Sequence, residues 1–250
     1  MGPLRNAYLD ALGIDRWVRR TAPAEVAAPE IILSGSVRRS EAATAAVPST
    51  VAWKSLPPAT EWGELRERVA ACTACDLCKT RTQTVFGVGN TRADWLVIGE
   101  APGAEEDRKG EPFVGPAGQL LNAMLLAIGL PRETVFIANI LKCRPPANRD
   151  PNPEQVSRCL PFLSNQIALL KPKIILAVGR IAAQNLLATD VPLARLRGKL
   201  HQFGEANTPM VVTYHPAYLL RTPADKRKAW EDLKFARATF ARIAAGQAGS

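Results

Sequence analysis

Five cysteines and two histidines carry much of the reactive chemistry of this 250-residue chain. Three of the cysteines fall in one run, "CTACDLC", with Cys72, Cys75 and Cys78 spaced by two intervening residues each. Cys143 comes much later, and Cys159 lies 16 residues beyond it. One C-x2-C pair with two distant thiols can offer four thiolates to a tetrahedral zinc or to an iron–sulfur cluster. Five candidates for four places leave one thiol spare, and spacing alone leaves open which it is and which metal is held.

A second set of polar groups stands at the ends of four apolar runs, "WLVIG" (95–99), "VFIANI" (135–140), "IILAVG" (174–179) and "MVVTY" (210–214). They close on Gly99-Glu100, Asn139, Gly179-Arg180 and His215-Pro216. Helical patterns near 116–129, 153–170, 180–188 and 225–245 separate or follow these runs. Another helix is expected from "TEWGELRERVAAC", with Thr60 as N-cap and Trp62, Leu65, Val69 and Ala70 as its apolar stripe. Strands alternating with helices predict a parallel sheet covered on both faces. Such sheets bind ligands beyond the carboxyl ends of their strands. Those ends here would gather a carboxylate, an amide, a guanidinium and an imidazole at one edge, the expected active site.

The elements that position this edge occupy only part of the chain. Residues 59–245 read as the folded domain. Residues 21–58 are rich in Ala, Pro, Ser and Thr without sustained period and read as a disordered linker. Residues 1–20 read as a short interaction segment, with an apolar face available over 7–20. The net charge of +9 points to a polyanionic partner. No run of eighteen apolar residues and no secretory apolar core is present, so the expectation is a cytoplasmic, monomeric protein with no membrane partner.

The motifs "CTACDLC", "GEAPGAEEDRKGEPFVGPAGQLL", "NILKCRPPANRDPNPEQVSRC", "LAVGRIAAQNLL", "LRGK" and "YHPAYLLR" together resemble the family 4 uracil-DNA glycosylases. The resemblance runs from about Glu61 to Phe240. It implies a three-layer α/β/α sandwich with a central four-stranded parallel sheet, and a [4Fe–4S] cluster on Cys72, Cys75, Cys143 and Cys159, leaving Cys78 spare. It also implies excision of uracil from single- or double-stranded DNA, with an abasic site as product. A related class traps uracil through a histidine in a "KRRIH" loop. The corresponding stretch here, "RPPANRDPN", has no histidine, so ordinary turnover is expected. Residues 7–20 resemble the opening segment of the psi subunit of the bacterial replicative clamp loader, which would make that assembly a partner.

The implied chemistry assigns roles to individual residues. The Asn139 amide offers a donor and an acceptor that match uracil O4 and N3–H and mismatch cytosine. Phe113 would stack under the base. His215 would stabilise charge developing on the leaving base. Gly99 and Gly103 would let backbone approach the ligand closely. Family 1 glycosylases credit an aspartate with water activation where this chain has Ala101, so Glu100 or Glu106 must contribute instead, or backbone alone holds the water. They exclude thymine with a tyrosine where Gly103 stands, a space that Glu106 is expected to fill. Tyr218, Leu219, Leu220 and Arg221 offer a wedge toward the minor groove. Arg197 and Lys199, in "RLRGK", are expected at phosphates, as are Lys142, Arg144, Arg149 and Arg180. His201 reads as a turn residue before a strand.

Overall fold

The structure, a computed structural model, describes residues 56–246. The interaction segment and linker positions up to 55 lie outside the described residues. Packing begins at Leu56, which lies against the core, and the Ala59 N–H donates to Asn165 Oδ1 at 2.7 Å.

Eight helices and six strands are described. The helices are α1 (Trp62–Ala70), α2 (Ala104–Lys109), α3 (Pro116–Ala127), α4 (Pro153–Leu170), α5 (Arg180–Leu187), α6 (Leu193–Leu196), α7 (Pro216–Arg221) and α8 (Lys226–Ala244). The strands are β1 (Val88–Gly89), β2 (Trp95–Gly99), β3 (Phe136–Asn139), β4 (Ile174–Val178), β5 (Leu200–Phe203) and β6 (Thr208–Thr213). They form one sheet in the order β1-β3-β2-β4-β6-β5. The four inner strands run parallel, as expected, while β1 and β5 join the two edges antiparallel. The sheet is therefore six-stranded and mixed. Sequence pattern missed its edges because β1 is only two residues long and β5 is half exposed, so neither shows a continuous apolar run.

Side-chain alternation along each inner strand feeds two cores. Leu96, Ile98, Ala138, Ile175, Ala177 and Val212 face α1, α4 and α5. Trp95, Val97, Ile137, Leu176 and Val211 face α3, α7 and α8. This burial on both faces produces the uninterrupted apolar runs of β2 and β4. Helix α1 starts one residue later than expected. Glu61 is its N-cap, and the Thr60 N–H and hydroxyl instead donate to the Glu64 carboxylate. Asn152 caps α4 by accepting from the Gln155 N–H, and the Gln155 side chain accepts from the Asn152 N–H in return.

The chain leaves β2 for β3 on one side and then for β4 on the other. Strand order thus reverses at β2, and the crevice outside the carboxyl ends of β2 and β4 is the expected ligand position. Gly99 pairs in register with Asn139, and Val178 with Thr213, so the polar strand ends come to one edge.

Candidate active site

Gly99 ends β2 at the point of closest approach. A Cβ there would lie 2.5 Å from Asn139 Oδ1 and 2.6 Å from Cζ of Phe113. Only glycine leaves that space open. Asn139, at the end of β3, is 2% exposed, and its Oδ1 has no hydrogen-bond partner. A buried acceptor without a donor costs roughly 1–3 kcal/mol, so the fold holds this amide for something that brings an N–H. Trp95 Nε1, at the opposite end of β2, is the other such atom among the described residues.

Phe113 forms one wall of the same space. Its φ is +54°, a left-handed conformation that non-glycine residues enter only at a cost. Its ring centroid lies 5.6 Å from that of His215, with 31° between the planes. His215 follows β6 and caps α7: the Ala217 N–H donates to its Nδ1 at 3.1 Å. An Nδ1 that accepts carries no proton, so the neutral ring carries its proton on Nε2. Burial, together with the positive charge of Arg221 and against the pull of Glu106, lowers the His215 pKa to about 4. The imidazole is therefore a neutral donor at physiological pH. Gly179, with φ +98°, lets β4 pass behind it, since a Cβ there would lie 2.9 Å from His215 Cβ.

The two acidic candidates separate. Glu106 accepts from the N–H groups of Gly103, Val114 and Gly115, at 3.1, 3.0 and 3.2 Å. It knots the loop before α2 to the loop before α3, and its Oε2 would lie 2.7 Å from a Cβ at position 103. It is a carboxylate already engaged by three backbone N–H groups. Glu100 has no such partners. Burial, reinforced by the charge of Asp150 and opposed by Arg180, raises its pKa to about 7. Arg180 Nη2 and Asp150 Oδ2 are themselves paired at 2.5 Å.

Several expected DNA contacts are otherwise occupied. Arg197 turns inward, toward α8. Its Nε donates to buried Asp232 at 2.7 Å, an acceptor shared with the Thr213 hydroxyl, and its guanidinium lies 4.2 Å from the Tyr214 ring centroid. Lys142 is 1% exposed and donates to the Asn139 carbonyl and to Gln166 Oε1. Leu219 is 1% exposed and packs in the core, so the apolar side chain that α7 presents is Leu220, 44% exposed. Tyr218 stacks on Tyr214 and donates its hydroxyl to Asp225. Lys199 and Arg221 remain exposed. His201 lies in β5, not in a turn, with Nε2 2.7 Å from the Leu196 carbonyl.

All five cysteines line one small pocket, together with Arg81, Lys142 and Phe162. The Lys142 N–H donates to Cys159 Sγ at 3.2 Å, and Arg81 donates to Cys143 Sγ at 3.1 Å. Burial raises the Cys75 and Cys143 thiol pKa values and pushes that of Cys159 up to about 12. Among the described residues, no three His, Cys, Asp or Glu side chains converge as they would on a single metal ion. No described helix is long and apolar enough to cross a membrane.

Comparison with known proteins agrees with this geometry. A family model described as the uracil DNA glycosylase superfamily matches residues 86–234. The chain is 44% identical over 177 residues to the type-4 uracil-DNA glycosylase of Archaeoglobus fulgidus, covering 68% of this chain and 89% of that protein. It is 41% identical over 175 residues to the type-4 enzyme of Thermotoga maritima, covering 68% and 90%. A type-5 uracil-DNA glycosylase of Thermus thermophilus is 34% identical over 119 residues, 42% of this chain and 54% of that protein. The chain belongs to the uracil DNA glycosylase superfamily, among the type-4 uracil-DNA glycosylases.

Proposed function

We propose that this protein flips uracil out of DNA and hydrolyses its N-glycosidic bond, leaving an abasic site. The observation that carries the reading is the buried, unpartnered Oδ1 of Asn139 beside the Phe113 ring. Uracil N3–H supplies the missing donor, and the amide N–H₂ donates to O4. Cytosine carries an acceptor at N3 and a donor at position 4, so both contacts fail. Phe113 stacks on the flipped base. His215 donates from Nε2 to O2 as the base departs with negative charge, an arrangement that needs the neutral ring described above. Glu106 fills the space beside Gly103 and crowds out the 5-methyl of thymine. The test is alkali-developed cleavage of a single-uracil oligonucleotide beside cytosine, thymine and hypoxanthine controls. Cleavage at uracil alone is expected, and its absence would overturn the reading.

Glu100 is the carboxylate left to orient water and to stabilise the positively charged sugar. Its raised pKa places this step on the titration near neutrality. The single-turnover rate should rise with pH through about 7, and Glu100→Gln should remove that limb while leaving DNA binding intact. A limb that persists in Glu100→Gln would assign it to another group.

The thiol cavity supports the [4Fe–4S] cluster expected on Cys72, Cys75, Cys143 and Cys159. The donor set is all thiol, the five thiols line one pocket, and two of the sulfurs receive N–H donors. When bound, the cluster would supply covalent ties between the segment after α1, the loop after β3 and α4. Removing one tie should act on stability first. Cys159→Ser should lose the visible iron–sulfur absorbance and melt on the order of 10 °C lower, yet still discriminate uracil from cytosine at low temperature. An unchanged melting temperature in cluster-free protein would contradict this role.

For DNA, Leu220 is the apolar wedge and Lys199 and Arg221 are the phosphate contacts, which makes affinity fall with salt. The clamp-loader partnership of residues 7–20, the monomeric state and the cytoplasmic setting rest on sequence pattern, since that segment lies outside both the described residues and the matched span 86–234.

A further inference from the structure

The left-handed backbone of Phe113 needs something to hold it, and three elements converge on it. From one side Glu106 takes the N–H groups of Val114 and Gly115. From another, Gly118 in the first turn of α3 lets the helix press onto the Phe113 carbonyl: a Cβ there would lie 1.8 Å from that oxygen. The third is Arg132, in the short turn that precedes β3. Its Nη2 donates to the Pro112 carbonyl at 2.6 Å, and its Nη1 donates to the Phe113 carbonyl at 3.3 Å and to Asn122 Oδ1 at 3.1 Å. A planar guanidinium can span two successive carbonyls and a side-chain amide at once, which a lysine ammonium on a flexible stem cannot.

We infer that Arg132 is the positioning residue that locks Phe113 in its strained conformation and so sets the stacking floor under the base. Resting on the uracil-excision reading, this adds a residue that touches no substrate. Arg132 is joined to the site twice over. It holds the Pro112-Phe113 backbone directly, and it stands in the turn that leads into the strand ending in Asn139. One side chain thereby fixes the stacking wall relative to the edge-reading strand. Without it, the 112–113 backbone loses two of its anchors and relaxes toward ordinary φ, which rotates the ring away from Gly99.

The test couples the two residues. Single-turnover uracil excision is compared in Arg132→Leu, Phe113→Ala and the double variant. In parallel, ¹⁹F spectra are recorded of protein carrying 4-fluorophenylalanine at position 113, with and without Arg132→Leu. Arg132→Leu should slow excision roughly 30-fold, within the range for losing a stacking partner. The double variant should be no slower than Phe113→Ala alone, because the two act through one contact. The single narrow ¹⁹F line should shift and broaden. Arg132→Lys keeps the charge and serves if the leucine variant fails to fold; it should give the same pattern at smaller amplitude. Additive rate losses, or an unmoved ¹⁹F line in a folded variant, would overturn the assignment. If the parent protein excises no uracil, the functional reading fails while the spectrum still decides whether Arg132 holds Phe113.

Discussion

Asn139→Ala should reduce uracil excision about 10⁴-fold, the scale seen when a site built to hydrogen-bond a substrate loses its partner. The same substitution should leave the melting temperature unchanged or raise it slightly. In the free protein Oδ1 is buried and unpartnered, so its removal deletes an uncompensated desolvation cost and breaks no hydrogen bond of that atom. A large activity loss with retained stability is the mark of a group held for a ligand. The measurement pairs single-turnover kinetics on a single-uracil oligonucleotide with thermal denaturation of the same preparation. If activity and stability fell together, Asn139 would be a structural strand terminator and the edge-reading role would be lost.

His215→Ala should slow the chemical step about 10²–10³-fold, the usual loss for one preorganised donor to a developing anion. The effect should fall on the rate at saturating enzyme more than on substrate affinity, because the leaving base carries its negative charge only in the transition state. His215 also leaves a signature in stability. Its folded pKa of about 4 lies below the ordinary histidine value, so between those pH values the unfolded chain binds the extra proton. Its contribution is complete above about pH 6.5 and drains away as pH falls toward 4. Glu100 works in the opposite sense. Its folded pKa of about 7 lies above the ordinary carboxylate value, so its contribution is present below about pH 4.5 and is lost as pH rises to 7. The two slopes oppose each other in the parent protein. Melting curves of His215→Ala across this window should therefore lose the acid-side decline, and those of Glu100→Gln should steepen it. Parallel slopes in all three proteins would refute the neutral, buried imidazole and with it the donor from Nε2.

The surface charge of the chain bears on DNA less directly than its composition suggests. The "RLRGK" run looks like a phosphate clamp in sequence, yet Arg197 turns inward to Asp232 on α8 and leaves Arg195 and Lys199 as its outward charges. The acceptor that claims it lies 35 residues away, and no local pattern announces such a pairing. The wedge shows the same limit at finer scale. Leu219 and Leu220 are adjacent and chemically identical, and only the rotation of the short helix α7 against the core buries one and exposes the other.

What the sequence by itself determined is the part of the protein written in local periodicity and motif order. The four parallel strands follow from apolar runs long enough to be buried on both faces, and the polar strand ends follow from where those runs stop. Asn139, Phe113, His215 and the five thiols were all legible as residue types in recognisable surroundings. Tertiary structure alone decided what each could do. The sheet edges β1 and β5 needed neighbours to exist. The tautomer of His215 came from the Ala217 N–H, a consequence of its helix-capping geometry. Glu100 and Glu106, six residues apart and equally acidic in sequence, were sorted by which backbone N–H groups reached one and which charges and burial enclosed the other. Arg132 carried no motif at all. Its place under Phe113 arises from a strained backbone and two carbonyls about twenty residues away, and long-range hydrogen bonds of that kind leave no trace in local sequence.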